Sequence, residues 1–543
     1  AHSLYHIAGS YYRERLGGRA SGGGLLGALF ERLLAHETPT ASRLRIWVPA
    51  VLRRWVGRRR MRGMGEIERL LLAEFQARRL NMPAAPPPGA SRFPELARLG
   101  HALSYACLRR FSEQLERGRL IEGLQALSAL GPILLGMAPY LTACAAQHKD
   151  RNFLAAVAAR HPAGAGTASA TGRRAWLTDT LTDVNGVAHT IKTLASLAQR
   201  QNRPITVLTS LDEPPDAAAF NLCNFPPVGR FHLPEYPQQE AVFPPVLDLI
   251  AHLEEGGYEQ LIISTPGPVG LVGLLAANLL KLPVVGIYHT DFPRYVGLLT
   301  EDTLLEDLTW RYMQWFYGRC DRILTPSDTY RTSLQDHGFA PEKLGILSRG
   351  VDQTRFRPDL RRTDFWQPYG LNGGLKFLYV GRISREKNLD VLCEAFRRLQ
   401  TRQAEAALAL VGSGPQLDDL SRRYAGHEIA FTGRLEGEAL AQAYASADVF
   451  VFPSLTDTFG NVVLEAHASG LPAIVADQGA PAEIVSSHHT GLTTDMRDPE
   501  RLASTMQQLA EDHHLRQELR QRALVRAAAS TWEHAFTQLW GHS

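Results

Sequence analysis

Cysteine is scarce in this chain. Its 543 residues hold five, Cys107, Cys144, Cys223, Cys320 and Cys393, far apart and without a C-x-x-C pair. That spacing excludes a disulfide scaffold, offers no Cys/His cluster for a structural zinc, and fits a reducing cytosolic compartment. A dominant charge is missing as well. The 58 Lys and Arg stand against 55 Asp and Glu, so the net charge of +3 indicates no partner for the chain as a whole. Long, purely apolar runs are also absent. Ala126 to Ala146 is uncharged over 21 residues, yet Gly131-Pro132 and Pro139 interrupt it and Ser128, Tyr140 and Thr142 dilute it. This predicts a helix pair, buried or dipping into a membrane, rather than a span. No signal peptide is visible at Ala1. What is there, 45% hydrophobic and 21% charged residues, is the composition of a globular protein long enough for more than one core.

One local absence stands out. From Thr38 to Gly65 there is no acid, while eight arginines occur, Arg43, Arg45, Arg53, Arg54, Arg58, Arg59, Arg60 and Arg62, interleaved with Trp47, Trp55 and aliphatic residues. A basic amphipathic segment with tryptophans suits an anionic membrane surface, with Arg43, Trp47, Arg53, Arg54, Trp55, Arg58, Arg59 and Arg60 as contacts. A solvated arginine face on a core-packed helix explains the same residues. No nucleic-acid module accompanies the charge. Residues 1–160 read as helical throughout, and the Ala/Gly/Ser/Thr-rich stretch 161–173 reads as a linker.

Beyond the linker the pattern changes. Short β-rich apolar runs at Arg174 to Thr180, Ile205 to Thr209, Leu261 to Ser264, Val284 to Tyr288, Arg322 to Leu324 and Leu344 to Leu347 alternate with helical spacing. A second series follows at Leu375 to Val380, Ala407 to Val411, Ile429 to Thr432, Asp448 to Pro453 and Ala473 to Val475. The alternation predicts two parallel sheets, each covered on both faces. Several strand ends carry chemistry. Asp183-Val184-Asn185-Gly186-Val187 is a Gly-containing turn before a helix, where backbone N–H groups can face an anion. His289-Thr290-Asp291 ends a strand. Gly381-Arg382, then Lys387-Asn388, flanks a strand-to-helix turn with two cations, which can neutralise a diphosphate. The stretch Ser454-Leu-Thr-Asp-Thr-Phe-Gly-Asn-Val-Val-Leu-Glu465 sets Asp457 and Glu465 around a glycine loop and a helix start, and two carboxylates held so can accept hydrogen bonds from sugar hydroxyls.

Taken together and in this order, these motifs resemble the retaining glycosyltransferases of family 4, with their acidic pair separated by seven residues. The resemblance covers roughly Trp176 to Ser530. It implies an α/β GT-B fold, in which two Rossmann-like domains with parallel sheets face each other across a cleft, here preceded by the all-helical N-terminal region. It implies domains at 174–355, on the acceptor side, and 356–525, binding the nucleotide sugar, with 526–543 crossing back to the first. It implies that Gly186 lies beside the donor diphosphate, that His289 faces the donor sugar near the reacting carbon, and that Arg382 and Lys387 clamp the diphosphate. Asp457 contacts the sugar, and Phe459, Gly460, Asn461 and Val462 hold sugar and phosphate. Glu465 holds the ribose, and the base lies against the backbone at Arg434 and Leu435. Two positions depart from the family's pattern: Asp457 stands where Glu is usual, and Arg349 where the interdomain link usually has Asn. Similar bacterial proteins carry a PHP-type phosphoesterase domain ahead of a comparable helical region, and no such metal-ligand cluster is present in this sequence.

The activity so implied is transfer of a hexose from a UDP- or GDP-linked donor to a hydroxyl with retention, the acceptor being a membrane lipid or lipid-linked glycan. Cofactors are expected to be none and metal none, because the cations take the metal's part. The expected location is the cytoplasm, at the inner membrane face. A GT-B epimerase, or a nucleotide-sugar-binding membrane scaffold without turnover, would share the fold.

Overall fold

The computed structural model describes residues 93–117, 130–151, 153, 157, 172–183, 186–215, 218–233, 236–300, 302–402 and 405–541. The arginine-rich run, Arg43 to Arg62 with Trp47 and Trp55, lies outside the described residues, as does most of the linker.

Among the described residues two helices come first, α1 (Phe93–Glu116) and α2 (Leu130–Gln147). The first half then runs β1 (Arg174–Leu177), α3 (Gly186–Arg200), β2 (Ile205–Thr209), β3 (Leu222–Asn224), β4 (Gly229–Leu233), β5 (Tyr236–Phe243), α4 (Val246–Glu255), β6 (Gln260–Ile263) and α5 (Pro268–Leu280). It continues with β7 (Val284–Ile287), α6 (Phe292–Thr300), α7 (Thr303–Tyr317), β8 (Arg322–Thr325), α8 (Asp328–Asp336) and β9 (Leu344–Ile346). The second half holds β10 (Leu375–Val380), α9 (Leu389–Arg402), β11 (Ala406–Val411), α10 (Leu417–Arg423), β12 (Ile429–Gly433), α11 (Gly437–Ala445), β13 (Val449–Phe452) and α12 (Asn461–Ala468). It ends with β14 (Ala473–Ala476), α13 (Ala480–Ser486), β15 (Gly491–Thr494), α14 (Pro499–Glu511) and α15 (His513–Ala529), before a last helix, α16 (Trp532–Gly541).

Strands such as Ala406–Val411 and Val449–Phe452 are buried at every residue, as expected where helices cover both faces. The first sheet has the order β3-β2-β1-β6-β7-β8-β9 and the second β12-β11-β10-β13-β14-β15, with parallel pairing throughout both. In each, the strand order reverses once, between β1 and β6 and between β10 and β13. Ligands of open α/β sheets sit at the carboxyl ends of the strands at such reversals.

Helix α16 closes the first half. Its Trp532, Phe536 and Leu539 share a core with Trp176, Ile191 and Leu194, whereas Leu519 and Ala527 of α15 belong to the second half's core. Arg174 anchors the helix end, donating to the carbonyls of Leu539 and Trp540 at 3.2 and 2.9 Å with its guanidinium 3.8 Å from the Trp540 ring centre. The chain therefore crosses back at Ser530-Thr531, where the N–H of Val351 donates to Ser530 at 3.0 Å. A Cβ on Gly350 would lie 2.3 Å from the Trp532 nitrogen, so only glycine lets the two crossing segments touch.

The helix pair expected between Ala126 and Ala146 is corrected. Leu130–Gln147 is one helix running through Pro139. Gly131-Pro132 falls in its first turn, where the missing N–H costs nothing, and packing against α1 and α5 holds the helix across Pro139. Among the described residues no helix is long and apolar enough to cross a membrane. The antiparallel hairpin β4-β5 and the short edge strand β3 were not legible from residue pattern.

Candidate functional site

The two strand-order reversals bring the sequence-predicted residues to one cleft. On the second half, β10 runs into the turn 381–388, where Arg385–Lys387 forms a 3-10 turn closed by Asn388 in the left-handed conformation, its amide reaching the Met496 carbonyl at 2.5 Å. Tyr379 Oη donates to the Arg382 carbonyl at 2.8 Å and holds the turn's start. β13 runs into the loop carrying Asp457. Lys387 Nζ stands 2.6 Å from Asp457 Oδ2, both side chains about one-fifth exposed. The resemblance gave these two groups separate partners; the structure pairs them with each other. Across the cleft, burial raises the pKa of Tyr295 on α6, with Glu386 and Asp457 reinforcing the rise and Arg382 opposing it, so this first-half helix sits in the field of the second half's charges.

The helix starts meet at the same place. Gly460, at φ +86, turns the chain into α12, and a Cβ on Gly186 at the start of α3 would lie 3.1 Å from Asn461 Nδ2. Two N-terminal helix ends, each with N–H groups lacking intrahelical partners, thus face one space. Asn461 Oδ1 is buried without a hydrogen-bond partner among the described residues. Phe459, by contrast, packs into the second core, and Val462 packs against it from a half-buried position. Glu465, one turn into α12, is half-buried and accepts from Tyr444 Oη at 2.8 Å; burial lifts its carboxyl above the usual range despite that bond and Arg355. Arg434 and Leu435 follow β12 at the sheet's outer edge, Arg434 paired with Glu436 and Leu435 packed on the core.

On the first half, His289, which the resemblance sets beside the donor sugar, sits among first-half partners. Its side chain is 5% exposed, and both ring nitrogens are engaged. Arg349 Nη2 lies 2.7 Å from Nδ1 and Ser264 Oγ 3.1 Å from Nε2. A guanidinium only donates, so Nδ1 must accept and Nε2 carries the proton toward Ser264, which also accepts from Trp176 Nε1 at 2.6 Å. Burial and the Arg349 charge keep the imidazole neutral, its pKa well below normal, while burial brings Arg349 down to about 10. The His289 carbonyl accepts from the hydroxyl of Thr458 in the second half. Asp291 is structural, accepting from Tyr288 Oη at 3.1 Å. So is Asp179, which accepts from Val269 N and Thr265 Oγ1 at 2.8 and 2.6 Å at the start of α5, with burial raising its pKa to about 6.

Residue patterns missed Ser264, Trp176, Thr458 and Tyr444, ordinary side chains that acquire a role only through a distant partner. They also missed Glu483. This carboxylate of α13 accepts from the N–H groups of Asp328 and Thr329 at 3.1 and 2.8 Å and from Thr329 Oγ1 at 2.8 Å, capping α8 of the opposite half.

Comparison with known proteins agrees with this architecture. Residues 184–355 match Glycosyltransferase Family 4 and residues 374–512 match Glycosyl transferases group 1. The sulfoquinovosyl transferase SQD2 of Arabidopsis thaliana is 31% identical over 311 residues, 56% of this chain and 59% of that protein. A GDP-mannose-dependent alpha-mannosyltransferase of Corynebacterium glutamicum is 30% identical over 303 residues, 55% of this chain and 70% of its own length. An alpha-monoglucosyldiacylglycerol synthase of Streptococcus pneumoniae is 28% identical over 302 residues, 54% of this chain and 68% of that one. The crystal structure of Anabaena HepE in complex with UDP and glucose superposes with a TM-score of 0.55 at 17% identity, covering 68% of this chain and 98% of that one, a likeness of fold. With both halves matched in order and the two sheets facing one cleft, the chain belongs to the family 4 glycosyltransferases of GT-B fold.

Proposed function

We propose that this glycosyltransferase moves a hexose from a UDP- or GDP-linked donor to the hydroxyl of a membrane lipid or lipid-linked glycan, with retention at the anomeric carbon. The observation that carries the reading is the Lys387–Asp457 pair, 2.6 Å apart at the second sheet's reversal, with Asp457 in the loop that leads to the helix start at Asn461, against which Gly186 lies. In this reading the donor diphosphate takes Lys387 Nζ and Arg382 as counter-charges, and a sugar hydroxyl donates to Asp457. The C1–O bond to the phosphate breaks, the acceptor oxygen bonds to C1 on the same face, and the acceptor's proton passes to the departing phosphate oxygen. Charge gathering on that phosphate is met by Lys387, Arg382 and the two helix N-termini, preorganised donors of the kind that supply most of such rate enhancement. Glu465 accepts from the ribose. Engaged on both nitrogens, His289 serves as a neutral wall of the site and not as an acid or base.

No metal takes part in this scheme, since the two cations supply the charge a metal would. The lipid acceptor is supported by the Streptococcus relative, whose name specifies a diacylglycerol product, and by the arginine-rich segment, which fits an enzyme peripheral to the cytoplasmic face.

The test is a donor screen. UDP- and GDP-hexoses are incubated with anionic vesicles containing diacylglycerol or phosphatidylinositol, and the product anomer is read by NMR. An α-linked glycolipid from an α-linked donor, formed equally well in chelator, is expected. An inverted product, or donor binding without turnover on any acceptor, overturns the reading.

A further inference from the structure

Outside the cleft, the structure brings together three metal-ligating side chains that residue spacing does not single out. Cys144 lies in the last turn of α2 and His148 just beyond it, with its N–H still bonded to the Cys144 carbonyl at 3.3 Å, so the two share one helical face. Glu254 projects from α4 of the first half. The ligand atoms of Cys144, His148 and Glu254 all lie within 4.8 Å of one another. We propose that Cys144, His148 and Glu254 form a zinc site that clamps the N-terminal helix to the first Rossmann-like half.

Three features of the cluster support a cation. The first is spacing. Zinc bonds to nitrogen and oxygen of about 2.0–2.2 Å at a tetrahedral angle set two ligand atoms about 3.3–3.6 Å apart. His148 Nε2 and Glu254 Oε1 are 3.3 Å apart, longer than the usual hydrogen bond near 2.9 Å. The second is charge, because a thiolate, a carboxylate and a neutral imidazole together balance a divalent cation. The third is the surrounding support. Tyr140, one turn before Cys144, donates from Oη to the other oxygen of Glu254 at 3.4 Å, the kind of outer contact that orients a ligating carboxylate. Cys144 is buried, while His148 and Glu254 are each about one-fifth exposed, which leaves the fourth position open to water. A mixed sulfur, nitrogen and oxygen set favours zinc over magnesium or calcium. Binding releases the Cys144 thiol proton.

A Cys-x-x-x-His pair is too short a signal to stand out in sequence, and its third ligand lies in another element of the fold. The site is separate from the transfer chemistry, and the test keeps it so. The full chain, stripped with chelator, is titrated with Co2+ and then Zn2+. One Co2+ per chain, with thiolate-to-cobalt charge-transfer absorption that Zn2+ abolishes, and a rise in Tm on adding Zn2+ are expected. Cys144→Ser should lose the charge-transfer band, and His148→Gln and Glu254→Gln should each weaken binding about tenfold or more. Cys223→Ser serves as the control. Should Cys144→Ser fail to fold, protection of Cys144 from alkylation by Zn2+ in the wild-type chain gives the same answer. Absence of the band in the wild-type chain, unchanged Co2+ affinity in the folded variants, or alkylation of Cys144 at the same rate with and without Zn2+ overturns the site. Because absorbance and alkylation are read rather than turnover, the outcome is independent of the proposed transfer reaction.

Discussion

The two halves share a folding plan and differ in what they do with charge. At the second half's strand-order reversal, Lys387 and Asp457 keep their charges partly in solvent and face the cleft. At the first half's reversal, the polar groups are withdrawn: Trp176, Ser264, His289 and Arg349 bond to one another in the interior, with Arg349 Nη1 left without a partner among the described residues. Charges kept accessible can be exchanged for those of an anionic ligand, whereas a buried hydrogen-bonded network holds geometry. In the proposed reaction this difference gives ligand charge to one half and positioning to the other.

The largest effect should come from the accessible charges. Lys387→Ala and Arg382→Ala are expected to lower turnover on the order of 10²-fold or more each, with Tm little changed. Arg349→Asn, which restores the residue usual in the family, should cost far less turnover and lower Tm instead. Equal losses of turnover from the two sides, in steady-state kinetics, would erase the contrast.

Next come opposite pH dependences in the two cores. His467 in the second half is buried with neither ring nitrogen partnered among the described residues, and its pKa is lowered to about 3 from an ordinary 6.5. The unfolded chain binds that proton first, so His467 makes the fold lose stability as pH falls from 6.5 toward 3. Asp179 in the first half is shifted up to about 6 from 3.8, so there the folded state holds the proton, and stability falls as pH rises from 3.8 through 6. Each group contributes a slope of up to about 1.4 kcal/mol per pH unit. Urea unfolding between pH 4 and 6 should show a shallower rise of stability with pH for His467→Gln and a steeper one for Asp179→Asn. Identical slopes in both variants and wild type would remove the distinction.

Glu465→Ala should then weaken nucleotide binding about tenfold by calorimetry, as expected for loss of a hydrogen bond to a charged group. Unchanged affinity would mean that Tyr444, not a ribose, is its true partner. The smallest effect is expected at Glu483, whose bonds to Asp328 and Thr329 tie the halves together in a solvent-exposed setting. Glu483→Gln should raise the donor KM a few-fold and increase the radius of gyration in small-angle scattering. A variant indistinguishable from wild type in both would show that the bond does not influence closure.

Fold class was legible because parallel strands buried on both faces are near-continuous apolar runs, and because glycine-containing turns such as Gly381 to Asn388 and Ser454 to Gly460 announce where strands stop. The cations and acids of the second half were legible for the same reason: each sits in a loop whose neighbours in sequence are also its neighbours in space. Helix α2 departs from the sequence expectation because local proline chemistry predicts a break that packing against α1 and α5 overrides.

The sequence by itself therefore determined the two-sheet architecture, the strand ends and the residue types that line them. Tertiary structure alone decided which of those groups meet. Lys387 and Asp457 are 70 residues apart, His289 and Arg349 60, His148 and Glu254 106. Periodicity reports which face of an element is buried, but it says nothing of which distant element covers that face. Pairing, tautomer and burial arise only when the sheets close, and with them the choice between a charge left for a ligand and one spent on the fold.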